Sequence, residues 1–315
     1  MTISRPDATI SIDGQDLSLA ESATATLFVV STSTLAHDRA TLTLGPGSPV
    51  LTVAPGARVE VSLGTSDLDA VFTGAVARVA HQPWGTEVHA LSASAALDAV
   101  RVGRAFRDQS IGDIVSNLLA EGGVNAGAIE GGPTLPVFYA DEGRSAWRHL
   151  CRLAGLVLAE LTSDASGAVN FRPPRSGTAD HTLRAGAELL SWAVGRRNEL
   201  AAVPSVGPFS AASEQGADAW SLLHHDPGGS GAHHVHPLLR DRDIAQVVDD
   251  ATAVARSRAG DEGWATVMGD AAIRAGDLVE LESIERAAAT YRVVTSRHEV
   301  GIDGFVTTMR LEGAS

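Results

Sequence analysis

The sequence predicts a β-rich α+β fold in which two β units related by internal duplication flank an inserted α+β unit. Apolar and polar residues alternate in the first ninety residues and again after residue 183. Between these regions the apolar residues follow a helical period. One short pattern of residues also occurs twice, more than 200 positions apart. The predicted units are residues 1–95, 96–182 and 183–315.

Residues 1–95 are predicted to form the first β unit, either a barrel or a sandwich. Short runs rich in β-branched residues alternate in polarity, and Gly, Pro or Asp interrupts them every 8 to 12 positions. Asp13 and Gly14 form a turn between the first two runs. The main predicted strands are 8–12, 23–30, 40–44, 49–53, 59–63, 71–79 and 86–91.

Residues 96–182 contain two predicted helices and a hairpin. Ser110 is a helix N-cap with Asp113 three residues later, and Gly122 ends the helix. Its apolar face consists of Ile111, Ile114, Val115, Leu118 and Leu119. Ser145 caps a second helix that ends at Gly155, and a hairpin follows over 156–161 and 168–171.

Residues 183–315 return to a β pattern around one long loop and one helix. Strands are predicted at 189–194 and 217–223, and a loop at 206–240 that contains a Gly-Gly-Ser-Gly run. A helix is predicted at 243–258, with its apolar face from Ile244 to Ala255. The repeated pattern occupies 265–311.

The repeated pattern is a strand that begins with Gly, then an aromatic residue, an Arg six positions later, and a His. In the first unit these residues are Gly56, Phe72, Arg78 and His81. In the last unit they are Gly276, Tyr291, Arg297 and His298. The aromatic residue follows the glycine by 16 and 15 positions, which predicts a duplicated β-meander. The histidines are expected to bond to backbone at strand ends, whereas the arginines either form interface ion pairs or face solvent.

Charge and composition exclude several classes of function. The 24 basic residues are all Arg and face 38 acidic residues, so the formal charge is −14. This balance argues against a nucleic-acid or anionic-membrane partner, because phosphate binding needs local positive charge. The absence of Lys excludes a phosphate-loop or Schiff-base lysine. No hydrolase motif occurs in a suitable context, so no catalytic residue, no cofactor and no enzymatic activity are predicted.

Cys151 is the single cysteine, so the sequence cannot form an intrachain disulfide. It lies on the apolar face of the second helix and is predicted to be a buried structural thiol. The N-terminal residues lack the pattern of a secretory signal, and no apolar run is long enough to span a membrane. We therefore expect a soluble protein that assembles in the cytoplasm.

Five of the 11 histidines lie within 13 residues and are the candidate metal ligands. They are His224, His225, His233, His234 and His236. Imidazoles beside a carboxylate such as Asp226 suit Zn²⁺ or Ni²⁺, which would fit a metal-dependent hydrolase. The glycine-rich run between them favours a solvated loop instead, because flexible ligands gain little from preorganisation.

Four stretches in this order resemble the baseplate hub proteins of contractile tails. They are 71–76, 106–115, 147–154 and 291–311. The family includes the late control protein D type of phage, the gene-27-like half of secretion-system spike proteins, and the hubs of contractile injection systems. The resemblance covers nearly the whole chain, and it does not separate a phage tail from a bacteriocin or an injection system.

This resemblance implies two tail-tube-like β-barrels per subunit. A homotrimer would then present six barrels and match a threefold spike to the sixfold inner tube. The expected partners are the inner tube protein, a spike protein and baseplate wedge or adaptor proteins, in a phage-tail-like particle. The spike is expected to be a separate chain, because this one ends at Ser315, four residues after Leu311. A hexameric tube initiator is the alternative within this class, and the histidine-rich hydrolase is the alternative outside it.

Overall fold

The computed structural model describes residues 7–18, 26–45, 53–64, 67–196, 205–208, 233–236, 238, 242–258, 260–284, 290–301 and 304–314. The fold is mostly β, with three α-helices among the described residues. No helix in this part of the chain is long and apolar enough to cross a membrane.

Seven strands occupy the first part of the chain. They are β1 (Asp7–Ile12), β2 (Gln15–Ser18), β3 (Thr26–Thr32), β4 (Arg39–Leu44), β5 (Arg58–Gly64), β6 (Leu68–Gln82) and β7 (Gly85–Ser92). A 3-10 helix, Ala93–Asp98, follows. The middle part contains β8 (Arg104–Ser110), α1 (Ile111–Glu121), β9 (Ala126–Ile129), β10 (Thr134–Ala140), α2 (Ala146–Val157), β11 (Glu160–Ser163) and β12 (Val169–Arg172).

The last part of the chain is again mainly β. It contains β13 (His181–Arg184), β14 (Leu189–Arg196), β15 (Ser205–Pro208), β16 (His233–His236), α3 (Arg242–Arg258), β17 (Asp261–Met268), β18 (Leu278–Glu282), β19 (Thr290–Gly301) and β20 (Gly304–Gly313). The predicted helix at 243–258 is therefore present and begins one residue earlier.

Thirteen strands form one open sheet that runs through both β regions. Its order is β14-β17-β20-β19-β3-β4-β7-β6-β5-β1-β2, and β18 and β13 extend from β19. No closed barrel is formed by the described strands, so the predicted barrels are not found as closed structures. The strands of the first region do not close on themselves, because one edge of β3 pairs with β4 and its other edge pairs with β19 of the last region.

Six strands of each β region follow the same order. The first order is β3-β4-β7-β6-β5-β1 and the second is β14-β17-β20-β19-β18-β13. The outermost pairs differ, because β1 is antiparallel to β5 whereas β13 is parallel to β18. We call the antiparallel contact of β3 with β19, which joins 27–32 to 295–300, the seam.

The hydrogen bonds of the two regions match in detail. The N–H of Gly56 donates to the carbonyl of Val76, and the N–H of Gly276 donates to that of Val293, both at 2.8 Å. Both glycines have φ of 92°, a backbone conformation that residues with a side chain rarely adopt. A β-bulge follows Val76 in β6 and Val293 in β19.

These bonds correct part of the alignment inferred from sequence. Val76 follows Gly56 by 20 residues, whereas Val293 follows Gly276 by 17, so the connections differ by three residues and not by one. Tyr291 therefore corresponds to Gly74 and not to Phe72, and Arg297 corresponds to Ala80 and not to Arg78. His81 and His298 do correspond, because each lies five residues after its aligned valine.

Three apolar cores underlie this architecture. One fills the first β region, one fills the middle part, and one fills the last β region. The first core also takes Ala271, Val300 and Phe305 from the last region, so the seam is part of a continuous interior. Ile244 and Val248 of α3 pack into the core of the middle part.

Local sequence explains the middle part well at α1 and less well elsewhere. The Ser110 hydroxyl accepts from the Asp113 N–H at 3.1 Å, and all five predicted apolar residues of α1 are buried. The predicted end of α2 at Gly155 is wrong, because the helix continues to Val157 and Leu158 closes it with φ of 50°. The predicted strand at 156–161 consequently starts only at Glu160.

The region predicted as a loop at 206–240 contains two short strands. β15 and β16 pair in parallel, with Ser205 opposite His233 and Pro208 opposite His236. Such pairing joins segments that are distant in sequence, so a local pattern does not reveal it. The strand predicted at 217–223 lies outside the described residues.

Candidate assembly surfaces

The structure places three of the five candidate metal ligands in one strand. His233, His234 and His236 belong to β16, whereas His224 and His225 lie outside the described residues. In the part of the chain that the structure describes, no group of three His, Cys, Asp or Glu side chains could hold a metal ion. The histidine site therefore stays a prediction.

One open strand edge belongs to β14. This strand pairs with β17, and apart from an isolated bridge between Leu189 and Ala185 no described strand pairs with its other edge. Trp192 lies opposite the fully buried Ala265 and faces the core of the last region, yet 38% of its surface is exposed. A core-facing tryptophan at this exposure indicates that the core is incompletely covered at β14.

The corresponding edge in the first region is covered by the seam. Strands β7 and β20 can be aligned at the threonines that lie opposite the two aligned histidines. In this alignment Leu42, which pairs with β7, corresponds to Ala265, which pairs with β20. Leu27 pairs with Leu42 as Trp192 pairs with Ala265. Leu27 is 1% exposed, because β19 lies beside β3.

A second open edge belongs to the end of β6. Residues 78–82 pair with β7, and no described strand lies on their other side. The corresponding residues of β19 pair with β20 and also with β3. His298 of β19 is 2% exposed opposite Val29, whereas His81 of β6 is exposed.

The two histidines make the same side-chain contact across their hairpins. Nδ1 of His81 lies 3.1 Å from the Thr86 hydroxyl, and Nδ1 of His298 lies 3.0 Å from that of Thr307. The partners are thus threonine hydroxyls, whereas sequence alone suggested backbone; His298 has a backbone partner at Ile273 as well. Burial, together with the nearby Arg274 guanidinium, lowers the pKa of His298 to about 4.

The arginines of the repeat have different environments. Arg297 stacks on the Phe28 ring at 4.5 Å across the seam and pairs with Glu299 at 3.1 Å. Both members of that ion pair are about half exposed. Arg78 is exposed and forms no ion pair with the described residues, and the ion pair of Arg297 lies within its own strand, so interface ion pairs of these arginines stay a prediction.

Two arginines, Arg274, which is half-buried, and Arg292, which is buried, join the middle part to both β regions. Arg274 donates to the carbonyls of Val71 in β6, at 2.9 Å, and of Ser163 in β11, at 3.4 Å. Arg292 of β19 pairs with Glu160 of β11 and with Glu312 of β20, and Arg292 and Glu160 are nearly inaccessible. No pattern in the sequence indicates that either arginine makes these contacts.

Two further groups have perturbed ionisation near these contacts. Burial raises the pKa of Asp38 to about 7, against the opposing effects of the Thr32 N–H, which donates to it at 2.8 Å, and of Arg274. Burial, together with Asp98, raises the pKa of the Cys151 thiol to about 11, so the thiolate form is disfavoured. Cys151 is only half-buried, and its Sγ lies 3.8 Å from the Leu35 carbonyl oxygen.

Solved structures with the same fold include tail proteins. The 43 kDa tail protein of prophage MuSo2 from Shewanella oneidensis is 12% identical with a TM-score of 0.72, and the alignment covers 97% of this chain and 98% of that one. A tail protein from Neisseria meningitidis MC58 is 14% identical with a TM-score of 0.72, over 98% of this chain and 96% of that one. No protein-family model and no curated protein matches the sequence.

A third structure links the fold to secretion systems. The E. coli c3393 protein, a component of the type VI secretion system with structural similarity to the T4 tail proteins gp27 and gp5, is 12% identical with a TM-score of 0.63. The alignment covers 97% of this chain and 77% of that one. The solved structures similar to this chain thus agree with the resemblance of its sequence to baseplate hub proteins. At these identities they establish a shared fold.

Proposed function

We propose that this protein is a structural baseplate hub subunit of a contractile tail or injection system. It assembles as a homotrimer that presents six β units in a ring and connects a threefold spike to the sixfold inner tube. The observation that carries this proposal is the shared strand order of the two β regions, within a fold found in phage tail proteins.

Internal duplication accounts for the two β regions. The matching bonds at Gly56 and Gly276, the matching bulges, and the matching histidine contacts all favour a common origin. Two equivalent units per subunit let a trimer offer six similar surfaces, as a sixfold tube requires. Each β unit acts as an incomplete tube-like barrel, and strands of the neighbouring units in the ring complete it.

The middle part acts as a brace between the two β units. Arg274 and Arg292 connect it to both of them, and α3 packs on its core. We take residues 1–95, 96–182 and 183–315 as the domains, with α3 as an element of the last domain that docks on the second. This brace holds the two β units at a fixed spacing in the ring.

The partners follow from this role. The trimer contacts the inner tube protein on one side, a separate spike protein on the other, and baseplate wedge or adaptor proteins at its rim. The formal charge of −14 is unfavourable for nucleic-acid contact. Assembly takes place in the cytoplasm, and the role is structural and not enzymatic.

The mass of the assembled protein tests this proposal. Light scattering of the purified chain is expected to give three times the 32.5 kDa of one chain, and with the spike protein it is expected to give this mass plus that of the bound spike. The matched control is the spike protein alone at the same concentration. A dimer, or a monomer that stays monomeric with spike and tube proteins present, would exclude the hub role.

A further inference from the structure

We infer that β14 of one subunit pairs antiparallel with residues 78–82 of β6 in the next subunit, and so repeats the seam between chains. This inference rests on the proposed trimer and specifies its subunit interface. It names a second copy of this chain as the partner of both open edges.

The register of this pairing follows from the seam itself. The aligned hydrogen bonds relate β19 to β6, and the order of paired strands relates β3 to β14. Four of the six residue pairs of the seam map onto residues of both β6 and β14. The predicted pairs are Val79 with Arg196, Ala80 with Gly195, His81 with Val194, and Gln82 with Ala193.

The exposure of the two edges supports a covering strand at each. Trp192 is 38% exposed where the corresponding Leu27 is 1% exposed, and His81 is exposed where His298 is 2% exposed. In both comparisons the buried residue is the one that the seam covers. Exposed edge strands readily pair with another chain, so soluble proteins usually cover or blunt them.

The same register brings exposed aromatic surface together. It places Trp192 beside the turn that follows β6, where Trp84 is 67% exposed. Burial of large aromatic side chains contributes strongly to association. The facing positions Ala80 and Gly195 carry little bulk, and a Cβ at Gly195 would meet no atom within 4 Å.

The geometry of the contact is head-to-tail. Each subunit offers two different edges, so its β14 binds one neighbour and its β6 binds the other. Heterologous contacts of this kind form closed rings when the rotation closes. In a trimer, three seams within chains would alternate with three equivalent contacts between chains.

Cysteine cross-linking tests the register. In a Cys151→Ser background, Ala80→Cys and Gly195→Cys are made as separate single variants and mixed under oxidising conditions. Directly opposite residues of an antiparallel pair lie within disulfide reach, so the mixture is expected to give covalent dimers while neither variant alone does. The double variant in one chain is expected to give covalent species up to the trimer.

In the control, the second cysteine is introduced at Val194 and not at Gly195, because neighbouring residues of a strand point to opposite faces. Ala80→Cys mixed with Val194→Cys is expected to give several-fold less dimer than the Gly195 mixture. Equal yields from both mixtures would overturn the register. Covalent dimers from Ala80→Cys alone would indicate twofold contact, and a cross-linked monomer from the double variant would indicate closure within one chain; either result overturns the inference.

Light scattering of the same background variant separates this inference from the proposed function. A trimer that gives no cross-link between positions 80 and 195 would overturn the strand pairing and leave the hub role intact. If neither the background variant nor the parent protein forms a trimer with the spike protein, the strand pairing and the hub role would both be overturned. A trimer with the expected cross-link supports both.

Discussion

The seam and the open edges are built from corresponding strands, yet they differ in what covers them. At the seam, β19 lies beside β3, and Leu27 and His298 are buried in a continuous interior. At the open edges, the corresponding Trp192 and His81 are exposed. Whether one of these side chains is buried therefore depends on whether a second strand lies beside its own strand.

Next to the seam, β19 also carries a charge anchor that β6 lacks. The buried Arg292 of β19 pairs with the buried Glu160 and with the partly exposed Glu312, whereas Ala75 occupies the aligned position of β6 and is exposed. A single subunit therefore carries one contact that is built into its core and one pair of edges that is available for assembly.

The largest effect is expected when the charge anchor next to the seam is broken. Arg292→Met leaves Glu160 buried without its partner, so we expect a loss of about 3–5 kcal/mol in the free energy of unfolding, measured by urea denaturation. The matched control is Arg297→Met on the same strand, whose ion pair is half exposed and should cost less than about 1 kcal/mol. Equal losses would show that β19 carries no special charge anchor.

Truncation of the corresponding residues Leu27 and Trp192 should have different effects on stability. Leu27→Ala creates a cavity under the seam and should lower the free energy of unfolding by about 2–5 kcal/mol. Trp192→Ala removes a side chain that is already part exposed, so the isolated subunit should lose about 1 kcal/mol or less while trimer formation weakens. The comparison fails if Trp192→Ala destabilises the isolated subunit as much as Leu27→Ala.

The pH dependence of stability should report burial at the seam. The pKa of His298 is lowered in the fold to about 4 from a usual value near 6.5, so its contribution is present above pH 6.5 and is lost as pH falls towards 4. The stability difference between the parent protein and His298→Gln should therefore shrink over that range in urea titrations. A difference that stays constant from pH 7 to pH 4 would mean that this histidine is not buried in solution.

Asp38 gives a dependence of opposite sign. Its pKa is raised in the fold to about 7 from 3.8, so its contribution is present below pH 4 and is lost as pH rises towards 7. Asp38→Asn keeps an oxygen that can accept from the Thr32 N–H, so its stability relative to the parent should rise between pH 4 and pH 7. An unchanged difference between these two pH values would contradict the burial of this carboxylate.

The smallest effect is expected from the histidine cluster, whose described members lie in β16 and in neither the seam nor the open edges. Replacement of His224, His225, His233, His234 and His236 by Asn should leave trimer formation at neutral pH unchanged by light scattering. A stoichiometric metal in the parent protein that is lost together with assembly in this variant would instead support a metal site.

The sequence predicts local features of this fold better than its distant contacts. Ser110 and the apolar face of α1 specify that helix residue by residue, because capping and periodicity act within a few turns. The seam could not be predicted, since nothing in the alternating pattern of β3 specifies which distant strand covers its edge. Arg274 and Arg292 were missed for the same reason, since their partners lie in other units.

The candidate assembly surface was predictable only in part. The correspondence of His81 and His298 is visible in the sequence and holds in the structure, whereas the aromatic and arginine correspondences fail because the connection lengths differ. Trp192 carries no sequence signal as a surface residue, because its strand alternates like any half-buried strand. Only the paired strands reveal that its edge is open.

Electron cryomicroscopy of the purified oligomer would show which strands join neighbouring subunits. We expect a threefold ring of six β units around a channel, in which β14 of each subunit lies beside β6 of the next and resembles the seam within each chain. A twofold particle, or a threefold ring in which other surfaces join the subunits and both edges stay uncovered, would contradict the account.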